Sequence, residues 1–148
     1  MGEIEVSVRE GSLDEVIQIA SRIPEFIDPY SKQEYEQQLK GRNFLILIAA
    51  VKDELAGFKL GYDLGDDFFY SWFGGVPPDL RQHGIAKLLA QHQESWAKNN
   101  GFKRIRIKTR NSFTPMLLFT IKSGFNIIDL ERKSDVSEHR ILLEKELG

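Results

Sequence analysis

The fold of this chain is decided by one stretch, Val76-Pro77-Pro78-Asp79-Leu80-Arg81-Gln82-His83-Gly84-Ile85-Ala86. An apolar and aromatic run at residues 68–73 precedes it, and helical spacing begins after Gly84. The pattern therefore predicts a strand that leads through a polar loop into a helix. Unpaired backbone N–H groups collect at a helix start, and the helix dipole adds partial positive charge there. The stretch is a predicted seat for a phosphate or pyrophosphate, which Gly84 allows to approach closely.

The composition is that of a soluble globular protein with a single domain, residues 1–148. Hydrophobic residues make up 41% and charged residues 28%, and the formal net charge is −2, so nothing indicates nucleic-acid binding. Cysteine is absent, which excludes disulfides, thiolate metal sites and a cysteine nucleophile. The first residues do not resemble a signal peptide, and the longest apolar run, residues 44–51, is too short to cross a bilayer. We therefore expect a cytoplasmic protein without membrane contact.

The spacing of apolar residues predicts the element order β-α-α-β-β-β-α-β-α-β-β. Ile4, Val6 and Val8 alternate with polar residues and indicate the first strand. Two helices open with capping boxes, in which serine precedes glutamate by three residues: Ser12 with Glu15, and Ser31 with Glu34. Further strands are predicted at residues 44–51, 55–62, 68–76, 102–109, 125–130 and 140–147, and further helices at residues 85–99 and 115–123. The result is a mixed sheet with helices packed on it, an α/β or α+β fold.

Two details of the predicted strands bear on a site. The strand at residues 44–51 is continuously apolar, which is typical of burial on both faces. The pair Gly74-Gly75 is a poor choice for a strand unless the backbone bulges or meets a ligand there.

The stretch quoted first resembles the signature of the GNAT N-acetyltransferase superfamily, V-x-P-x-x-R/Q-x-x-G-x-G/A. The matching residues are Val76, Pro78, Arg81, Gly84 and Ala86. A second segment, from Asn111 to Lys122-Ser123-Gly124-Phe125, is similar to the family's later motif. The resemblance covers nearly the whole chain. It implies the GNAT-like acyl-CoA N-acyltransferase fold, a mostly antiparallel sheet of about seven strands flanked by about four helices.

The resemblance also implies acetyl-CoA as a co-substrate and no metal. The backbone amides of residues 81–86 would hold the pyrophosphate, and the strand end at residues 74–76 would pair with the pantetheine arm. An amide of that strand end would support the oxyanion of a tetrahedral intermediate. The residues assigned to the cofactor on this basis are Gly74, Gly75, Val76, Arg81, Gln82, His83, Gly84, Ile85, Ala86, Asn111 and Phe119.

The proton transfers do not follow the family pattern. A primary amine has a pKa of about 10.4 and must lose a proton before it attacks a thioester. In many relatives a glutamate near the middle of the preceding strand serves as the base, and here Tyr70 occupies that position. Tyr70, Asp67 and an ordered water stay open as bases. The tyrosine that protonates the leaving thiolate in many relatives is replaced by Thr120.

Aromatic residues supply the candidates for an acceptor pocket. Tyr30, Tyr62 and Trp72 are predicted pocket walls, with burial in the core as the competing interpretation. Alternation along the strand at residues 102–109 places four cations on one face: Arg104, Arg106, Lys108 and Arg110. That row is either a site for acidic groups or a solvated strand face. His92 falls on the apolar side of the helix that begins at Ile85, where a packed core histidine is expected.

Together these features predict an N-acetyltransferase that moves acetyl from acetyl-CoA to a primary amine of a small molecule or peptide. The amine would attack directly, in a ternary complex. Two alternatives stay open: a catalytically weak acyl-CoA-binding module, and an acyltransferase for another acyl-CoA or acceptor. The predicted partners are acetyl-CoA and the amine, without nucleic acid or membrane, and the protein is expected to be a monomer or a homodimer.

Overall fold

A computed structural model describes residues 5–26 and 28–148 of the protein. Within this part of the chain, seven strands form one sheet and four α-helices pack on it. The strands are β1 (Val6–Glu10), β2 (Phe44–Val51), β3 (Glu54–Gly65), β4 (Phe68–Gly75), β5 (Arg104–Arg110), β6 (Asn126–Glu131) and β7 (Arg140–Glu146). The helices are α1 (Leu13–Ala20), α2 (Lys32–Leu39), α3 (Ile85–Asn99) and α4 (Thr114–Lys122). The predicted element order is confirmed, and Ile4 lies outside the described residues.

The sheet is mixed, with one parallel pair that matters for function. Its strands lie in the order β1-β2-β3-β4-β5-β7-β6. Neighbouring strands are antiparallel, except β4 and β5, which are parallel. The parallel pair extends only from Phe68 opposite Arg104 to Ser71 opposite Ile107. Beyond these residues β4 and β5 separate, so the sheet opens between residues 72–75 and residues 108–110.

Both predicted capping boxes are present at the starts of α1 and α2. Ser12 Oγ accepts a hydrogen bond from Glu15 N at 3.3 Å, and Glu15 Oε1 accepts one from Ser12 N at 3.0 Å. Ser31 and Glu34 repeat the pattern at 3.2 and 3.0 Å. Each box satisfies two N–H groups that a helix start would leave free, so both short helices begin at defined residues.

Two apolar cores lie on opposite faces of the sheet. Alternation along β2 sends Ile46 and Ile48 into the core beneath α1 and α2, and Leu45 and Leu47 into the core beneath α3. The predicted burial of β2 on both faces is therefore confirmed, apart from Phe44 at its end, which is 45% exposed. Because α1 packs on β2 and β3, the same face of the sheet is left open over β5 and β7.

The buried side of α3 differs from the prediction. Its fully buried residues follow four-residue steps: Ile85, Leu89, Gln93 and Ala97. His92 is exposed, so the expectation of a core histidine is wrong. Gln93 takes the inward position because a helix turns by about 100° per residue, and one step carries a side chain off a narrow buried stripe.

The bulge in β4 lies at Trp72 rather than at the glycine pair. The strand pairs with β3 on both sides of Trp72, which is the extra residue. Gly74 and Gly75 keep their register partners in β3. A Cβ on Gly75 would lie 2.6 Å from Ile23 Cδ1, so a larger residue there would have to displace the packed side chain of Ile23. The bulge increases the local twist of β4 at the point where it leaves β5.

Candidate active site

Residues 81–86, which lead into α3, form what we call the anion loop. Gln82 and Gly84 have left-handed backbone conformations, with φ of +69° and +76°. Within the described residues, no N–H group from Gln82 to Lys87 donates to a protein acceptor. The first bond of α3 runs from Leu88 N to Gly84 O, at 3.0 Å. Successive N–H groups in such a turn point into one concavity, which is the geometry of an anion site.

Glycine is required at position 84 by the backbone and not by packing. A Cβ there would meet no atom of the described residues within 4 Å. The left-handed conformation costs other residues about 1–2 kcal/mol. Around this open space Gln82, His83 and Ala86 are exposed, while Ile85 anchors the helix start in the core at 2% exposure. The loop therefore presents backbone, not side chains, to the space in front of it.

The side chain of Arg81 braces the anion loop from behind. Its Nε donates to Val76 O at 2.9 Å, and its Nη1 donates to Glu25 Oε2 at 2.6 Å. The hydrogen bond from Arg81 lowers the pKa of Glu25. The guanidinium thus holds the end of β4 and the segment between α1 and α2 against the loop. The backbone N–H of Arg81 donates to Pro78 O at 3.4 Å, so the free amides of the anion loop begin at Gln82.

On the α1–α2 side of the sheet, an open cavity of about 650 Å³ lies over β4 and β5. We call it the aromatic cavity. Its lining residues are Tyr30, Glu34, Gln37, Gln38, Tyr62, Leu64, Tyr70, Trp72, Arg106, Lys108 and Leu142. The three predicted pocket walls therefore meet in one place. The ring centroids of Tyr30 and Trp72 are 5.3 Å apart, and those of Tyr62 and Trp72 are 5.8 Å apart.

The sequence analysis did not predict that polar side chains of α2 line this cavity. Glu34, Gln37 and Gln38 lie on one face of α2 because they are three and four residues apart. Gln38 Nε2 donates to the Tyr62 hydroxyl at 2.8 Å, which ties α2 to β3. Their helical spacing was visible in the sequence, but the surface that faces them was not. Among the described residues, Glu34 supplies the carboxylate of the lining.

Two of the proposed bases are disfavoured by their positions. Burial raises the pKa of Tyr70 to about 12, so its hydroxyl keeps its proton at neutral pH and is not available as a base. Asp67 lies in the turn before β4, five residues from Trp72, which is about 16 Å along a strand. Its carboxylate is 3.9 Å from Lys103 Nζ. Asp67 is therefore too far from the opening of the sheet to act there.

The row of cations on β5 is a paired strand face. Each member meets a carboxylate within 4 Å, and the pairs are Arg104–Glu146, Arg106–Glu144, Lys108–Glu131 and Arg110–Glu138. Two of these cations, Arg106 and Lys108, also line the aromatic cavity. The interpretation as a partly solvated, charge-balanced face is the one that the structure supports.

Residues of the second motif are split between two places. Asn111 Nδ2 donates to Val136 O at 2.9 Å, so its donor holds the connection between β6 and β7. Phe119 and Thr120 line a small cavity beneath α3 and α4. The Thr120 hydroxyl is buried and donates to Met116 O at 2.8 Å. The hydroxyl proton is therefore used in a hydrogen bond within α4. Thr120 does not replace the tyrosine that protonates the leaving thiolate in many relatives.

Comparisons with known proteins agree with this geometry. The model of the acetyltransferase (GNAT) family matches residues 13–125. The ribosomal-protein-S18-alanine N-acetyltransferase from Escherichia coli has a similar structure, with a TM-score of 0.83 and 17% identity over 97% of this chain and 95% of that one. Ard1 from Thermoplasma volcanium has a TM-score of 0.80 and 18% identity over 95% and 97% of the two chains. No curated protein matches the sequence.

Acetyl-CoA is bound in another of the similar solved structures. A GNAT family acetyltransferase from Elizabethkingia anophelis with acetyl-CoA bound has a TM-score of 0.76 and 22% identity, over 95% of this chain and 97% of that one. Among the residues described for the present chain, no cluster of three histidine or acidic side chains could hold a metal ion. In the same residues, no helix is both long and apolar enough to span a membrane.

Proposed function

Because the chain belongs to the acetyltransferase (GNAT) family and is an acyltransferase, we propose that it transfers acetyl from acetyl-CoA to a primary amine of a small molecule or peptide. One arrangement supports the proposal. The anion loop follows the end of β4, and the sheet opens between this end and β5. The aromatic cavity lies at the same opening, since its lining includes Trp72 of β4 and Lys108 of β5. A CoA held at the loop would place its thioester at the opening, and an amine in the cavity would reach it from the other face.

The donor half of the proposal rests on free backbone groups. The six N–H groups from Gln82 to Lys87 have no acceptor among the described residues, and pyrophosphate oxygens would satisfy them. The end of β4, at Gly74, Gly75 and Val76, has no partner strand on the side of β5. The pantetheine amides would pair with this edge as an added strand does.

The acceptor half rests on the aromatic cavity. An amine reaches the protein mostly as an ammonium ion, which aromatic faces attract by cation–π interaction. Tyr30, Tyr62 and Trp72 supply such faces, and Glu34 supplies a carboxylate. The cavity is wide and open, which suits a side chain or small molecule larger than a simple alkylamine. In this proposal Glu34 receives the proton of the ammonium through water.

The reaction is a direct transfer. The neutral amine nitrogen attacks the thioester carbon, the C–N bond forms, and the carbonyl electrons move to oxygen. A backbone N–H at the end of β4 would stabilise that oxyanion. The C–S bond then breaks, the nitrogen gives its extra proton to solvent so that the neutral amide forms, and CoA leaves with the electron pair on sulfur. Tyr70 keeps its proton, and its hydroxyl oxygen would accept a hydrogen bond from an amine N–H, which leaves the nitrogen lone pair free to attack.

Binding and turnover are tested in separate experiments. At about 100 times its Kd, acetyl-CoA adds about 2.7 kcal/mol to the free energy of unfolding, which raises the melting temperature by several degrees. Release of the CoA thiol is then followed over a panel of amines that includes peptides with free N-termini, lysine side chains and aromatic amines. We expect acetyl-CoA to stabilise the protein, and thiol release to depend on the amine.

The outcomes separate the proposal from its alternatives. Stabilisation by acetyl-CoA without thiol release on any amine would favour the acyl-CoA-binding module. Stronger stabilisation and turnover with a longer acyl-CoA would favour another acyl donor. Absence of stabilisation by every acyl-CoA would remove the donor assignment altogether.

A further inference from the structure

Lys59 is a buried lysine without a counterion among the described residues. It lies on β3 and is 8% exposed. No carboxylate of the described residues lies within 4.0 Å of its ammonium, and no hydrogen bond of its side chain is present among them. The nearby Glu94 is already engaged, since both of its carboxylate oxygens accept from Lys145 Nζ, at 3.1 and 2.9 Å. An unpaired buried charge is costly, so its position calls for an explanation.

The stem of Lys59 runs toward the opening of the sheet. Lys59 is the register partner of Gly74 on β4. A Cβ on Gly74 would lie 3.4 Å from Lys59 Cγ, so the missing side chain makes room for the lysine. Lys59 and Ile107 of β5 line the same small cavity, and the pairing of β4 with β5 ends at Ile107. The lysine therefore reaches the region where the two strands begin to separate.

The cavity at the end of this stem, which we call the lysine cavity, contains two donor groups that have no acceptor among the described residues, the Lys59 ammonium and the Gln93 amide. Its volume of about 10 Å³ is about the minimum that a single water needs. Gln93 projects into it from α3, is 1% exposed, and leaves its Nε2 without a partner among the described residues. Thr120 also lines it, but its hydroxyl donates elsewhere. An ammonium and an amide N–H thus converge on a place where an electron-rich atom would satisfy both.

We propose that Lys59 binds the sulfur of CoA and protonates it as the thioester breaks. The inference rests on the proposed function and names the acid for that reaction. As the tetrahedral intermediate collapses, the C–S bond breaks and its electron pair stays on sulfur. The Lys59 ammonium gives one proton to that sulfur and becomes a neutral amine, and CoA leaves as a thiol. The first proton of the acceptor ammonium goes to Glu34 through water, the second goes to solvent as the amide forms, and solvent reprotonates Lys59, so the transfer is balanced.

The chemistry of the site suits this role. Burial lowers the pKa of Lys59 to about 8, partly offset by Glu94. A free thiol has a pKa of about 8.5, so the proton passes between groups of similar affinity, which is favourable for general acid catalysis. The charged groups that face Lys59 are Glu94 on α3 and, beyond it, Lys145 on β7. The remaining described lining of the lysine cavity comes from uncharged side chains.

The test compares wild type with Lys59→Met and Lys59→Arg, and uses Lys98→Met, on the exposed side of α3, as the control. Methionine has a similar length and removes a buried charge, so Lys59→Met should fold, which thermal unfolding checks. The thiol pKa of bound CoA is measured from the ultraviolet absorbance of its thiolate. A nearby cation should lower it by about 1 unit or more in wild type and in Lys98→Met. In Lys59→Met that lowering should be lost.

Turnover gives a second, independent reading. With acetyl-CoA and the best amine of the panel, kcat of Lys59→Met should fall about 10- to 100-fold, with little change in the KM of the amine. In wild type, kcat should decline as the pH rises past the pKa of Lys59, because the acid form is lost. That decline should be absent from both Lys59 variants, since arginine retains its charge but does not give up its proton.

The results distinguish two failures. Equal thiol pKa values for CoA bound to wild type and Lys59→Met, or equal kcat profiles against pH, would overturn the assignment of Lys59. The titration of the CoA thiol requires only that CoA binds. It therefore tests the role of Lys59 even if no amine is turned over. If wild type turns over an amine and Lys59→Met matches it, the proposed function survives and the role of Lys59 does not.

Discussion

The anion loop and the aromatic cavity are built in different ways. The loop is one contiguous segment, residues 81–86, whose useful groups are backbone N–H donors. The cavity is assembled from side chains on α2, β3, β4, β5 and β7 and on the segment before α2. A site of the first kind depends on φ angles and open space, whereas a site of the second kind depends on which side chains meet. Mutations should therefore affect donor and acceptor binding by different routes.

The largest expected effect is a loss of CoA affinity when a negative charge is placed in the anion loop. A control variant then separates the effect of the charge from that of backbone strain. Gly84→Glu places a carboxylate where the pyrophosphate would bind. We expect the Kd for CoA to rise at least about 100-fold, equivalent to about 3 kcal/mol. Isothermal titration calorimetry measures the change.

Gly41→Glu is the matched control for this variant. Gly41 has a φ of +73°, and a Cβ added there, as at Gly84, would meet nothing among the described residues within 4 Å. The Gly41 variant should therefore carry the same backbone cost without changing CoA affinity. An unchanged CoA affinity in Gly84→Glu, or an equal loss in the Gly41 variant, would contradict the assignment of the loop.

The second effect is expected on the acceptor alone. Tyr30 is 39% exposed and packs on Trp72, so Tyr30→Ala removes one cavity wall with little cost to the core. Loss of one cation–π contact of about 1 kcal/mol should raise the KM of the amine about fivefold. The Kd for acetyl-CoA should stay the same.

Phe44→Ala removes an equally exposed aromatic side chain at the end of β2, outside the cavity. This variant should leave the KM of the amine and the Kd for acetyl-CoA unchanged. A change in acetyl-CoA affinity in the Tyr30 variant would show that donor and acceptor sites are not built as separately as their geometry suggests.

The smallest effect concerns the ion pair that joins the anion loop to the segment between α1 and α2. Arg81 contacts Glu25, which belongs to the same segment between α1 and α2 as Tyr30. Both partners are exposed by more than a third, and exposed pairs contribute about 0.2–1 kcal/mol. Arg81→Met should therefore weaken CoA binding about two- to fivefold. Arg9→Met, which removes the comparable pair with Glu15, should leave CoA binding unchanged. Equal losses in both variants would mean that the effect comes from general destabilisation.

The order of the elements followed from the sequence, but two details of side-chain placement did not. Alternation in β2 and the serine–glutamate caps are local signals, so the sequence predicted their positions closely. The burial of His92 on α3 was predicted wrongly because His92 and Gln93 are adjacent. Neither side chain is hydrophobic enough to show from the sequence which of the two is buried. The bulge at Trp72 was not predicted because it depends on how β4 pairs with β3. That register is set by the contacts between the two strands and not by the local sequence of β4.

What the sequence by itself determined is the anion loop, because a contiguous backbone site is encoded by local features: a strand end, a left-handed glycine and a helix start. The tertiary structure alone decided which side chains from distant parts of the chain lie next to one another. It brought Glu34 of α2 to Trp72 of β4, and it placed Lys59 beside Gly74 and opposite Gln93. The physical reason is that a sheet and its helices join residues far apart in the chain, and the chemistry of a buried side chain depends on those neighbours.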